Sequence, residues 1–143
     1  DDILVRKEIN LGCAVALNPG LIVPVLRNAD NFSLLELAQE LGRLIKQARE
    51  KNLKPSDIVG GTFTLTNPGV FGSLHSQPII NQPQVAILSL GSIINRPIVV
   101  DNKITIAPMT QVGLTFDHRV ADGEGAAYFL SSIQKFIENY PMN

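Results

Sequence analysis

Residues 115–125 read TFDHRVADGEG. The stretch begins as a strand, with Leu114 and Phe116 two apart and so on one side. It turns at Asp117–His118–Arg119. Asp122 then offers a short carboxylate to the free N–H groups of a helix start. Ala126, Phe129, Leu130, Ile133 and Ile137 follow at helical spacing, and Pro141 ends the run. A strand that delivers through one turn into a helix predicts an α/β fold.

The same alternation continues upstream. Val112–Phe116, Ile104–Pro108, Pro97–Val100 and the run VAILSLGS (85–92) read as strands, with Asp101-Asn102 as a hairpin turn. In TFTLTN (62–67), Thr62, Thr64 and Thr66 alternate with Phe63 and Leu65, giving one hydroxyl face and one apolar face. Pro68-Gly69 suits a turn with proline second and glycine third, which sets Thr66 at a strand end beside a bend. Ser33 and Glu36 have the spacing of a capping box. Behind them Leu34, Leu37, Ala38, Leu41, Leu44, Ile45 and Ala48 form one stripe, while Lys46, Arg49, Glu50 and Lys51 belong to the solvated face and Pro55 lies past the helix end. Asn10–Leu17 and Leu21–Leu26 read as strands around the turn Asn18-Pro19-Gly20. The sum is two helices and six or seven strands, a mixed α/β layer structure with a large sheet.

With 143 residues, 45% of them apolar, the chain can bury one core. Twelve basic and thirteen acidic residues give no field for nucleic acid or an anionic membrane. The longest apolar run, VAILSLGSII, is too short to span a bilayer, and no signal-peptide pattern opens the chain. The chain enters strand-like residues almost at once, which predicts a piece of a longer polypeptide. The lone Cys13 reads as a small core residue.

His118 stands at the end of a strand among apolar neighbours, where partial desolvation would keep its imidazole neutral and able to accept a proton. The alternative is a structural histidine bonded to Asp117 or Asp122. No internal nucleophile accompanies it: Cys13 has no nearby cation, and no Gly-x-Ser-x-Gly elbow occurs. A nucleophile would therefore arrive with a substrate. Thr66 could donate to a developing oxyanion, whereas Thr62 and Thr64 read as strand packing. A metal is not expected, because Arg119 abuts His118 and no paired ligand set exists; His75 reads as a loop or surface residue. The glycines of GGTFTLTNPGVFG lack the lysine and helix start of a phosphate loop.

Four segments then resemble a known family in its own order: NPGLIVPVLRNAD (18–30), GGTFTLTNPGVFG (60–72), PIINQPQVAILSLGSI (78–93) and LTFDHRVADG (114–123). The family is the dihydrolipoamide acyltransferases of 2-oxo acid dehydrogenase complexes, in their catalytic domain. The resemblance implies a chloramphenicol acetyltransferase-like mixed sheet with flanking helices that forms trimers and then large hollow cores. It implies a site in a channel between subunits, with coenzyme A entering one end and a lipoyl group on a separate domain entering the other, and no metal. His118 matches the family's general base, Thr66 the hydroxyl that stabilises the tetrahedral intermediate, and Asp122 an orienting position four residues past the histidine. Coenzyme A contacts remain unassigned.

Residues 1–143 would then be the C-terminal part of that catalytic domain, without its first portion and without lipoyl or subunit-binding domains. The resemblance also implies decarboxylase and dihydrolipoamide dehydrogenase partners, and a bacterial cytoplasm or mitochondrial matrix. Thr66-Asn67-Pro68-Gly69 favours a pyruvate or branched-chain type over a 2-oxoglutarate-type succinyltransferase. A scaffold with little activity in this fragment is the competing reading. A small-molecule acetyltransferase ranks lower, because Asp117 and Arg119 flanking His118 fit the dehydrogenase-complex pattern better.

Overall fold

The computed structural model of the chain describes residues 2–141. Nine strands and two α-helices occur in the order β1 (Leu11–Cys13), β2 (Val15–Ala16), β3 (Leu21–Ile22), β4 (Val25–Leu26), α1 (Leu34–Arg49), β5 (Phe63–Thr66), β6 (Ala86–Leu90), β7 (Ile94–Val100), β8 (Lys103–Met109), β9 (Val112–Phe116) and α2 (Gly123–Glu138). The expected large sheet has five strands, in the order β4-β1-β5-β6-β9. β1, β5 and β6 are parallel, and β4 and β9 run antiparallel at the two edges. The remaining strands form two separate ribbons, β2-β3 and β7-β8.

The two opening strands expected over residues 10–26 are each divided. Pro24 has no N–H to donate, so an unbroken ladder cannot run through it. The chain bends there, β1 pairs with β4, and β2 pairs with β3. The Pro24 carbonyl still accepts from Cys13 N at 2.9 Å. The turn at residues 18–20 closes with Leu17 N donating to Gly20 O at 2.8 Å, and Gly20 holds φ of 104°.

The capping box of α1 forms as its spacing predicts: Ser33 N donates to Glu36 Oε2 at 2.8 Å, and Ser33 Oγ accepts from Glu36 N. Leu44 and Ala48 are buried, and Leu44 joins Leu26 and Ala29 in a core flanked by Leu11, Leu37, Leu41 and Leu53. Leu34 and Ala38, expected on the same stripe, are exposed. The core they would have joined lies against the later turns of the helix.

Leu26, Leu11 and Phe63 lie in register on neighbouring strands, so their side chains share one face. α1 covers this face at Leu11 and Leu26, and α2 covers it through Phe129, whose ring meets Phe63 edge-on at 5.7 Å. Ala126 is the buried residue of α2.

The opposite face carries the hydroxyl row. Thr64 and Ser89 are buried there, at 1% and 2% exposure. A buried hydroxyl needs a partner. Thr64 Oγ1 donates to Gln84 Oε1 at 2.6 Å, and Ser89 Oγ donates to the Ser76 carbonyl at 3.1 Å. The connection from β5 to β6 therefore folds back over the sheet. It starts with a 3₁₀ turn over Pro68–Phe71, the expected bend just past Thr66, and the left-handed residue is Gly72 at its end. Gly69 is required for another reason. A Cβ there would overlap the Gly91 carbonyl, and a Cβ on Gly91 would overlap the Leu74 carbonyl oxygen.

The β7-β8 ribbon turns at Asp101 and Asn102, both with positive φ, as the hairpin reading predicts. Register puts Pro97, Val99, Ile104, Ile106 and Pro108 on one face, and Ile104 is 81% exposed.

Gly91→Ala tests the close approach. Backbone atoms would have to move, so unfolding stability is expected to fall by about 1–3 kcal/mol, read as a lower denaturant midpoint.

Candidate active site

β9 is an edge strand, and Asp117 follows it directly. Asp117 N donates to Val85 O at 2.8 Å, so the residue begins no new element until the sheet has released it. Its carbonyl accepts from Val120 N at 3.0 Å and Ala121 N at 3.1 Å, which curls the chain over His118 and Arg119. Asp122 ends the turn. Its Oδ1 accepts from Gly125 N at 2.8 Å, the helix cap that the sequence predicts for α2.

The His118 ring leans on Phe116, with centroids 5.5 Å apart. The rest of the residue is exposed. The expected partial desolvation is not met within one chain, because Phe116 covers the ring on one side and solvent reaches the other. Neither proposed structural partner holds it. The Asp117 carboxylate is taken by Arg119, and Asp122 Oδ1 is taken by the helix cap. His118 instead borders an open groove of about 690 Å³ with Gln77, Pro78, Ile80, Gln82 and Phe116.

Asp117 has unusual electrostatics. The Arg119 guanidinium beside it, aided by the Arg119 backbone N–H, holds its carboxyl at about 2. Oδ1 accepts from Arg119 Nε at 2.9 Å and Arg119 N at 3.0 Å, and Oδ2 accepts from Nη2 at 2.6 Å.

Thr66 ends β5, in register with Ser89 and through it with Gly113. Its hydroxyl has no hydrogen-bond partner in the chain among the described residues, whereas Thr62 and Thr64 are committed to Asn10 and Gln84. Beside it lies a hollow of about 250 Å³ lined by Asn67, Gly69, Val70, Leu90, Ser92 and Thr110. Thr66 and His118 do not meet in one chain. Phe116 pairs with Ala86, three residues before Ser89 on β6. The two residues are therefore separated by about 10 Å along the strands and about 10 Å across two strand spacings, before the two further residues to His118 are added.

Cys13 is half-buried, as its reading as a small core residue predicts, and burial pushes its thiol pKa up, away from the nucleophilic thiolate. His75 is exposed on the connection over the sheet. Among the described residues no group of three His, Cys, Asp or Glu side chains could hold a metal ion, and no helix is long and apolar enough to cross a membrane. Sequence reasoning missed the groove wall at residues 77–82. Its signal was the apolar pair Ile79-Ile80 between Pro78 and Pro83, of which Ile79 is 91% exposed.

This fold is that of acyltransferase catalytic cores. It superposes on a probable dihydrolipoamide acetyltransferase from Listeria monocytogenes with a TM-score of 0.96 and 39% identity, over 99% of this chain and 61% of that one. The model of the family described as 2-oxoacid dehydrogenases acyltransferase (catalytic domain) matches residues 1–142, and the chain belongs to that family. It is 47% identical over 138 residues to the dihydrolipoyllysine-residue succinyltransferase component of the 2-oxoglutarate dehydrogenase complex from Bartonella vinsonii subsp. berkhoffii, covering 96% of this chain and 34% of that protein. The chain thus spans about a third of the length of that curated relative. That relative is of the type that the Thr66–Gly69 stretch ranked second. A dihydrolipoamide acetyltransferase from Azotobacter vinelandii matches with a TM-score of 0.89 and 38% identity, over 94% of this chain and 55% of that one. It was studied for the roles of a serine, a histidine and an asparagine in its catalytic mechanism; the serine stands 52 positions before the histidine and the asparagine four after it.

Arg119→Ala removes the largest cause of the low Asp117 pKa. The Asp117 carboxyl midpoint is expected to rise from about 2 towards its ordinary 3.8. Carboxyl-carbon NMR across an acid titration reads this directly. Since the folded value is the depressed one, the stabilising contribution of the pair is present above pH 4 and lost as pH falls through 2.

Proposed function

We propose that this chain is the C-terminal part of a dihydrolipoamide acyltransferase catalytic domain, and that it moves an acyl group between dihydrolipoamide and coenzyme A. The observation that carries the reading is the spacing of three residues along the chain. Thr66 precedes His118, and Asp122 follows it, at the separations of the serine, histidine and asparagine in the Azotobacter enzyme. The groove beside the imidazole is of ligand-binding size.

The chemistry balances with these groups. A neutral His118 imidazole accepts the proton of an incoming thiol. The thiolate sulfur attacks the thioester carbonyl of the other substrate, and the carbonyl electron pair moves to oxygen. The Thr66 hydroxyl, which no group among the described residues of its own chain uses, donates to that oxyanion. Collapse re-forms the carbonyl and expels the second sulfur, which takes the proton back from the imidazolium. Asp122 fixes the start of α2 just after the turn that carries His118, an orienting role.

Thr66 and His118 sit too far apart in one chain to serve a single carbonyl. The reading therefore requires two copies per site, one lending the imidazole and the other the hydroxyl, as in a trimer. Coenzyme A and the lipoyl group are substrates delivered to that junction, and the decarboxylase and dihydrolipoamide dehydrogenase of a 2-oxo acid dehydrogenase complex are the partners that supply and recycle them. Within the family we assign the succinyl type, on the strength of the Bartonella relative. This reverses the preference drawn from the Thr66–Gly69 stretch.

In the complete assembled protein, His118→Ala is expected to lower acyl transfer about a hundred- to ten-thousand-fold, and Thr66→Val about a hundred- to a thousand-fold. Mixing the two inactive chains during assembly restores activity, because some sites then draw both intact side chains; absence of any recovery would falsify the shared site. Rates with succinyl-, acetyl- and isobutyryl-dihydrolipoamide decide the acyl group, with succinyl expected fastest.

A further inference from the structure

We propose that Asp117 and Arg119 are positioning residues: their side chains close a clip around the His118 backbone and so set where the imidazole points. The inference rests on the proposed role of His118 as base.

The clip joins residues on either side of the histidine. Three N–H groups of Arg119 converge on one carboxylate: the backbone N at 3.0 Å and Nε at 2.9 Å reach Oδ1, and Nη2 at 2.6 Å reaches Oδ2. The main chain of Asp117 is fixed as well, through Val85 on one side and Val120 and Ala121 on the other. Every polar atom of Asp117 is thereby engaged. The only free backbone torsions inside the closed loop are those of His118 and its immediate links. A planar guanidinium is suited to this task, because two parallel bonds fix an angle as well as a distance.

Stability does not account for the arrangement. The Arg119 side chain is 82% exposed, and ion pairs in such surroundings contribute little to folding. Nothing else holds the imidazole: it meets Phe116 and the groove, and no hydrogen bond to it occurs among the described residues. The clip also occupies the nearest carboxylate, which would otherwise compete for the ring. Its low pKa keeps it charged, and the clip closed, at every working pH.

The test compares Asp117→Ala, Asp117→Asn, Arg119→Ala and Arg119→Lys in the complete assembled protein, with His118→Ala as reference. Measured quantities are kcat, KM for both thiol substrates, Tm and the imidazole NMR signals, assigned against His118→Ala. Misplacing a reacting group by about 1 Å can cost about a hundredfold. Asp117→Ala and Arg119→Ala are therefore expected to lower kcat about ten- to a hundredfold, with KM and Tm nearly unchanged and the His118 signals shifted or broadened. Asp117→Asn recovers most of the loss, since its amide oxygen still accepts from Arg119 N and Nε. Arg119→Lys, which cannot make two parallel bonds, recovers less. Unaltered kcat in both alanine variants, with His118→Ala inactive, overturns the proposal. So does an asparagine variant as impaired as the alanine one. If His118→Ala itself remains active, the parent reading has failed, and unchanged imidazole signals in Asp117→Ala would then sink the clip independently.

Discussion

The connection between β5 and β6 lies against the sheet over two buried hydroxyls that bond to it. Thr64 would leave a dry polar group on the sheet face if Gln84 withdrew, and Ser89 would keep only a longer bond to the Gly113 carbonyl, at 3.4 Å, if the Ser76 carbonyl did. Glycine at 69 and 91 lets backbone meet backbone where any side chain would collide. This contact sets much else. It carries the 3₁₀ turn that holds the hollow next to Thr66, and it delivers residues 77–82 to the wall of the groove beside His118. Both candidate ligand surfaces are therefore made by one segment, and the packing that secures it also shapes them.

The sheet order has a functional consequence. A parallel β5-β6 pair followed by an antiparallel β9 sends the ends of β5 and β9 in opposite directions. A residue at the end of one strand cannot approach a residue just past the end of the other within one copy. On the proposed mechanism, side chains that act together on one carbonyl are thus divided by topology, and association becomes part of the chemistry.

Much of this was legible in the residues. The Ser33–Glu36 box, the Asp122 cap and the Asp101-Asn102 turn are local patterns whose partners lie within a few positions, and each formed as read. What escaped is what depends on distant partners. The division of the opening strands at Pro24 follows from β1 finding both β4 and β5. Gly69 was read as a turn residue, and its second role escaped because its neighbour in space, Gly91, is remote in sequence. The solvent exposure of His118 was misjudged for a related reason: apolar residues beside it in the chain, Leu114 and Phe116, were taken as cover, and they form a wall instead. The candidate site residues were named from the resemblance and the strand-to-helix turn, while the carboxylate pairing around His118 needed coordinates.

The β7-β8 ribbon carries a cost of its own. Its outer face is a flat row of proline, valine and isoleucine with Lys103 and Arg96 on the other side, and its long edges present open backbone groups. Natural sheets usually blunt such edges with charge or bulges. Here Pro97 and Pro108 remove one N–H from each strand, but no charge stands on the apolar face, so a solitary copy would be sticky: in concentrated solution it would recruit its own kind into disordered clumps.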